Sequence, residues 1–155
     1  SVLGLVAGMS GNAIAATATG TATANVVRAL TIDPTSALAF GTFAASATGG
    51  IINIDQSSCG VNSDVPHFGG HGCGAFRVGG YDSSAYVVSY DTAHTLVHVD
   101  NPANTMPFSV ALNGTPVKSL LNGVGNLQFG GSVTVSPSQP IGVYTGTYDV
   151  TVDYQ

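Results

Sequence analysis

The sequence contains no tryptophan and no glutamate, and its only cationic side chains in 155 residues are Arg28, Arg77 and Lys118. Charged residues make up 7% of the chain, where an ordinary globular protein carries about 25%. The three scattered cations exclude a nucleic-acid partner, because neutralising phosphates takes clustered Lys and Arg. The eight acids are all Asp and the net charge is −5, so a glutamate pair for acid–base chemistry is excluded as well. Helix-favouring Glu, Lys, Gln and Arg are scarce, and leucines do not recur at i, i+3 and i+4, which argues against helices. Low charge here does not signal disorder, which needs low hydropathy together with high net charge; the mean hydropathy is positive.

What the chain has instead is Gly, Ala, Thr and Val, the composition of secreted β-structure. At this length it forms one domain, with or without an arm, and a domain of this size buries about 68–70% of its unfolded surface. Short apolar runs punctuated by Gly, Pro and Asn recur along it. Thr23 to Ile32 is apolar and β-branched and stops at Asp33-Pro34. Leu38 to Phe43, Ile51 to Ile54, Ala75 to Val78, Ala85 to Tyr90, Leu96 to Val99 and Met106 to Leu112 follow. From Leu127 to Val135 the odd positions Leu127, Phe129, Val133 and Val135 are apolar. From Tyr144 to Tyr154 the even positions Tyr148, Val150, Val152 and Tyr154 alternate with Thr and Asp. Period-2 alternation predicts strands with one buried face. The polar turn Ser136-Pro137-Ser138-Gln139-Pro140 joins those two strands. The fold class expected is all-β, an antiparallel sandwich.

Residues 56–80 form a long irregular stretch holding both cysteines, Cys59 and Cys73. An even count in an extracellular-looking chain predicts a disulfide between them, with free thiols or metal ligands as the alternatives. The same stretch contains HFGGHGCG. His67 and His71 are the metal-ligand candidates there, although the spacing is not that of a zinc finger and no cofactor is expected. His94 and His98, in HTLVH, lie about 13 Å apart if they share a strand, too far to hold one ion. There is no G-x-S-x-G elbow, no P-loop and no C-x-x-C-H haem site, so the chain is not expected to be an enzyme.

The leading segment, SVLGLVAGMSGNAIA, carries no charge. LGLVAG followed by AIA fits the end of a secretory leader. The lack of a basic flank favours a segment of the mature chain. A membrane-spanning helix is opposed by the shortness of the run and by Gly4, Gly8, Ser10, Gly11 and Asn12. An extended strand fits best. It presents Leu3, Leu5, Ala7 and Met9 on one side, and each such side chain is worth roughly 1.5–3 kcal/mol when buried. The groove that buries them belongs either to this domain or to a neighbour.

The chain ends GVYTGTYDVTVDYQ, with Gly142 fourteenth from the end, alternating apolar residues after it and a penultimate aromatic, Tyr154. This resembles the C-terminal signature of chaperone–usher pilins. ATATGTATANVVRALTIDPTSALAFGTF, PFSVALNG and FGGSVTVSPSQPIGVYTGTYDVTVDYQ are also similar to a family of secreted bacterial sandwich domains of unknown function. The pilin resemblance implies an immunoglobulin-like sandwich spanning residues 17–155 that lacks its last strand, preceded by an N-terminal donor strand in residues 1–16. It implies that Leu3, Leu5, Ala7 and Met9 form the donor face, and that Gly142, Tyr148, Val150, Val152 and Tyr154 line the groove or meet a chaperone. It further implies secretion through the periplasm, a periplasmic chaperone, an outer-membrane usher and a homopolymer at the cell surface. The function expected is therefore a structural subunit of an extracellular filament. The alternatives are a monomeric secreted adhesin or binding sandwich, and a surface protein binding metal through the His67/His71 loop.

Overall fold

A computed structural model describes residues 13–155. Among them are no helices and thirteen strands. In chain order these are β1 (Thr31–Ser36), β2 (Ala39–Phe40), β3 (Gly50–Ile54), β4 (Val61–Ser63), β5 (His71–Gly72), β6 (Gly74–Gly79) and β7 (Ala85–Tyr90). They continue with β8 (Ala93–His98), β9 (Thr105–Leu112), β10 (Val117–Ser119), β11 (Val124–Val135), β12 (Tyr144–Thr145) and β13 (Val150–Tyr154). Every pairing is antiparallel. The fold is the all-β sandwich that the alternation predicts.

The large sheet runs β1-β6-β11-β9-β8-β12, with β3 and β4 attached. Its spine is β11. The first half of β11, Val124 to Phe129, pairs with β6, and Gly131 to Val135 pairs with β3. Phe129 to Val133 pairs with β9 on the opposite edge. The second sheet is β10-β7-β13, and β2 pairs with β5 in a small ribbon.

The core lies between the two larger sheets. Leu127, Phe129, Val133 and Val135 of β11 are buried, as are Met106, Phe108, Val110 and Leu112 at alternate positions of β9. From the second sheet, Tyr86 and Val88 of β7 enter the same cluster. Phe129 is the hinge of this packing. Its ring meets Phe76 edge-on at 5.7 Å and Tyr90 edge-on at 5.1 Å, and lies tilted against Tyr148 at 5.7 Å. Edge-to-face aromatic pairs add about 0.5–1.5 kcal/mol beyond their buried area, so these contacts bind the sheets together at the centre.

Cys59 and Cys73 are joined in a disulfide, with Cα atoms 5.3 Å apart. The bond ties the irregular stretch after β3 to the entry of β6.

Two strand limits differ from the sequence reading. Asp33-Pro34 does not end a strand over 23–32; it lies inside β1, and residues 13–29 belong to no strand. Among the described residues β1 is an edge strand bonded only to β6, and a register shift falls between Pro34 and Ser36. An edge tolerates the missing proline N–H. The run from Tyr144 to Tyr154 is also two strands. β12 pairs with β8 in the large sheet, and β13 pairs with β7 in the second. Between them Gly146 packs so closely on the Thr95 carbonyl that a β-carbon would collide with it and crowd the Leu96 side chain. The chain crosses from one sheet to the other at that point.

Candidate functional site

Residues 38–43 and residues 139–146 form two walls of a groove enclosing about 620 Å³. Leu96 of β8 and the buried Met106 of β9 line it from below. None of the lining residues is charged. Among the described residues the walls belong to strands with one free edge: β2 is bonded only to β5 and β12 only to β8. The free edges continue along the same two runs of chain, because β1 is bonded only to β6 and β13 only to β7 among the described residues. Unpaired N–H and C=O groups beside an apolar trough are the requirements for accepting an added strand.

The first wall is held by His67. Its Nε2 stands 2.7 Å from the carbonyl oxygen of Phe40, and its Nδ1 accepts from the Gly69 N–H at 3.1 Å. A carbonyl only accepts and a backbone N–H only donates, so the ring is the neutral form protonated on Nε2. Gly41, next to Phe40, has φ +87°, and a β-carbon there would lie 2.7 Å from Nε2 of His67.

The second wall is held in the same manner by His98. Its Nε2 donates to the Ile141 carbonyl at 2.9 Å, and its Nδ1 accepts from the N–H groups of Asp100 at 3.0 Å and Asn101 at 3.1 Å. His98 is 8% exposed, and its ring meets Tyr144 edge-on at 5.0 Å. Gln139 completes this wall. It is buried, donates to the Thr105 carbonyl at 3.2 Å and to the Tyr144 hydroxyl at 3.0 Å, and accepts from the Ser136 N–H at 3.1 Å. The Tyr144 hydroxyl in turn donates to the Pro140 carbonyl at 2.7 Å. The turn that reads as polar and solvated is thus anchored into β9. Ile141 and Val143 project from it 89% and 63% exposed.

Of the residues singled out in the sequence, Gly142 lines the groove. Tyr148 belongs to the aromatic core beside it, against Phe76, Phe129 and His94, and burial raises its phenol pKa. Val150 and Val152 pack half-buried against the core from β13. Tyr154 is not a core residue. It lies at the rim, where its hydroxyl donates to the Arg28 carbonyl at 2.5 Å and accepts from the Tyr81 N–H at 2.7 Å. Leu3, Leu5, Ala7 and Met9 lie outside the described residues. The part of the arm that is described, residues 13–29, is exposed throughout.

His67 and His71 meet edge-on with ring centroids 5.4 Å apart. Both ring nitrogens of His67 are already engaged, and both cysteine sulfurs are in the disulfide. No group of three or more His, Cys, Asp and Glu is arranged to hold a metal among the described residues. His94 shares β8 with His98, as its spacing indicates, and bonds the Asp91 carbonyl at 2.7 Å.

The groove-lining residues Phe40, Leu96, Met106 and Ile141 carry no local signal of a site. Ile141 alone offers a hint, as an isolated large apolar residue beside a Ser/Pro/Gln turn.

Residues 30–154 match the family described as a domain of unknown function, DUF4402. The chain belongs to this family. The DUF4402 match begins at Leu30, one residue before β1 and just after the exposed arm, so it covers both walls of the groove. No curated protein gives a significant match to the chain.

Proposed function

We propose that the protein is a structural subunit of an extracellular filament, in which the N-terminal arm of one copy lies as an added strand in the groove of the next. The observation that carries this reading is a pair of unmatched features on one molecule. An uncharged apolar groove lies between free strand edges, and residues 13–29 stand exposed and unpaired outside the sheets. A strand laid in the groove would satisfy both.

Self-insertion is disfavoured by the connection. The arm runs directly into β1, and β1 leads into a wall of the groove. Filling its own groove requires the arm to reverse shortly before Thr31, yet in TATANVVRAL (residues 21–30) Asn25 is the single turn-favouring residue. Tyr154 also holds the Arg28 carbonyl at the rim. Residues 13–29 would reach about 55 Å if fully extended, which is ample to cross to a neighbour. Arm-to-groove contact is head-to-tail, and such contacts make an open filament unless their rotation closes.

The low charge agrees with a surface largely covered by other copies, and the disulfide with an oxidising compartment. Before assembly the open groove is an aggregation hazard, so a chaperone that lends a strand is the partner proposed for the free subunit, with an usher at the outer membrane.

Electron microscopy and light scattering on three forms test the proposal: the full chain, a chain lacking residues 1–15 and a chain lacking residues 1–29. Filaments are expected from the full chain. Their loss on removing residues 1–15 assigns insertion to the Leu3, Leu5, Ala7 and Met9 face; loss only with residues 1–29 assigns it to residues 16–29, which open with an alternation of Ala and Thr. Filaments from the chain lacking residues 1–29, or a stable full-length monomer, overturn the proposal.

A further inference from the structure

The two walls of the groove belong to segments about a hundred residues apart in sequence, yet each is fastened by the same device. A histidine Nε2–H donates to a wall carbonyl, that of Phe40 or Ile141. Its Nδ1 accepts backbone N–H groups from the loop just beyond the histidine, those of Gly69 or of Asp100 and Asn101. A glycine with positive φ follows each wall carbonyl, Gly41 or Gly142, and lies against the imidazole where a β-carbon would not fit. His94, the other histidine of β8, contacts neither wall carbonyl; its Nε2 is engaged by Asp91.

We infer that His67 and His98 are paired latches that position the groove walls, and that protonating them releases both walls and makes the groove acid-labile. The inference rests on the groove being the subunit–subunit site. The chemistry is that of the neutral ring. Nδ1 accepts only while it carries no proton. Adding one places an N–H against the Gly69 N–H at His67, and against two N–H groups at His98. A donor facing donors loses those bonds and must move. The Nε2–H bond to the wall carbonyl survives, but the ring has lost the loop that anchors it, so the wall is tied to a ring that is itself free to move. The ionisable groups packed against the latches are His71 beside His67, and Tyr144 and the neighbouring Asp100 beside His98. The walls are fastened while both rings are neutral and released once Nδ1 of each carries a proton.

Hydrogen–deuterium exchange on the full-length chain, at about pH 7.5 and about pH 5 with labelling times scaled to intrinsic rates, tests this directly. The amides of Gly69, Asp100 and Asn101, and those of Thr42 in the first wall and Ala44 just after it, should lose about tenfold in protection at the lower pH. The amides of β9 and β11 should keep theirs. The double variant His67→Gln/His98→Gln retains an amide donor for each wall carbonyl but does not titrate, and its protection should be the same at both pH values. Undiminished protection of Gly69, Asp100 and Asn101 in the native chain at about pH 5 overturns the inference, and so does an equal loss across β9 and β11. The readout needs no filament: a chain that never polymerises refutes the filament proposal, while the exchange pattern still decides the latches.

Discussion

Gly142 leaves no room for a side chain against His98. Its φ is +142°, and a β-carbon built on it would overlap Nε2 of the imidazole. The residue that resembles the pilin glycine is therefore set by a local steric demand. It lets the Ile141 carbonyl reach the buried ring that fastens one wall of the groove. Gly142→Ala is expected to destabilise the protein by about 1–3 kcal/mol, through strain and displacement of His98. Urea unfolding checks this, as a lower midpoint at unchanged slope.

The disulfide closes a loop with a sequence separation of 14 between Cys59 and Cys73. A loop of that length is worth about 3 kcal/mol in the chain-entropy account. Replacing both cysteines by serine should lower unfolding free energy by that order, as should reduction of the native chain. An unchanged urea midpoint would contradict it.

Tyr86 is fully buried, yet its hydroxyl has no hydrogen-bond partner among the described residues. The atom lies against Gly125, where a β-carbon would collide with it. Burial raises the pKa of this phenol, as it must when the phenolate has no compensation. Removing an unsatisfied buried polar group relieves a desolvation cost of about 1–3 kcal/mol. Tyr86→Phe should therefore be at least as stable as the native protein in thermal unfolding, unlike most large-to-small changes in this core.

Asp55 caps the turn after β3. Its Oδ1 accepts from the Ser57 hydroxyl at 2.7 Å and N–H at 2.9 Å, and from the Ser58 N–H at 2.7 Å and hydroxyl at 3.0 Å. The side-chain bond from Ser57 and then the backbone bond from Ser58 hold its carboxyl well below the usual Asp range. A depressed folded pKa gives stability that is present above the unfolded value, about 3.9, and lost as the pH falls below it. Asp55→Asn should flatten that acid limb, measured as unfolding midpoint against pH, by lowering the midpoint in the neutral region and converging with the native protein at acid pH.

The architecture was legible where burial follows a local rule. In β11, Leu127, Phe129, Val133 and Val135 announce their buried face by alternation alone, and a central strand enforces that rule on both edges. The disulfide followed from compartment logic. The two-residue strands β2 and β5 carry no periodic signal, and the break at Gly146 depends on Thr95 and Leu96, far away in sequence. The groove was harder still. Gly142 was found through a resemblance, but the role of His98 depends on the Ile141 carbonyl 43 residues later, and that of His67 on Phe40, 27 residues earlier. Neither partnership has a local signature in the sequence. Alternation puts Tyr154 on the same face as Tyr148, Val150 and Val152, but it does not reveal that the last position of β13 lies at the exposed rim.

The central claim is that the groove of one copy holds the arm of another, and photo-crosslinking across mixed isotopes tests it most directly. Val143 lines the groove and is 63% exposed, so it can be replaced by p-benzoylphenylalanine. Chains labelled with ¹⁴N and ¹⁵N are mixed, assembled, irradiated and digested, and the adducts are weighed. Adducts joining residue 143 to a peptide from residues 1–29 of the other isotope, in the proportion that random mixing requires, are the predicted result. Adducts to the arm of the same isotope only, or none to the arm at all, would contradict the account.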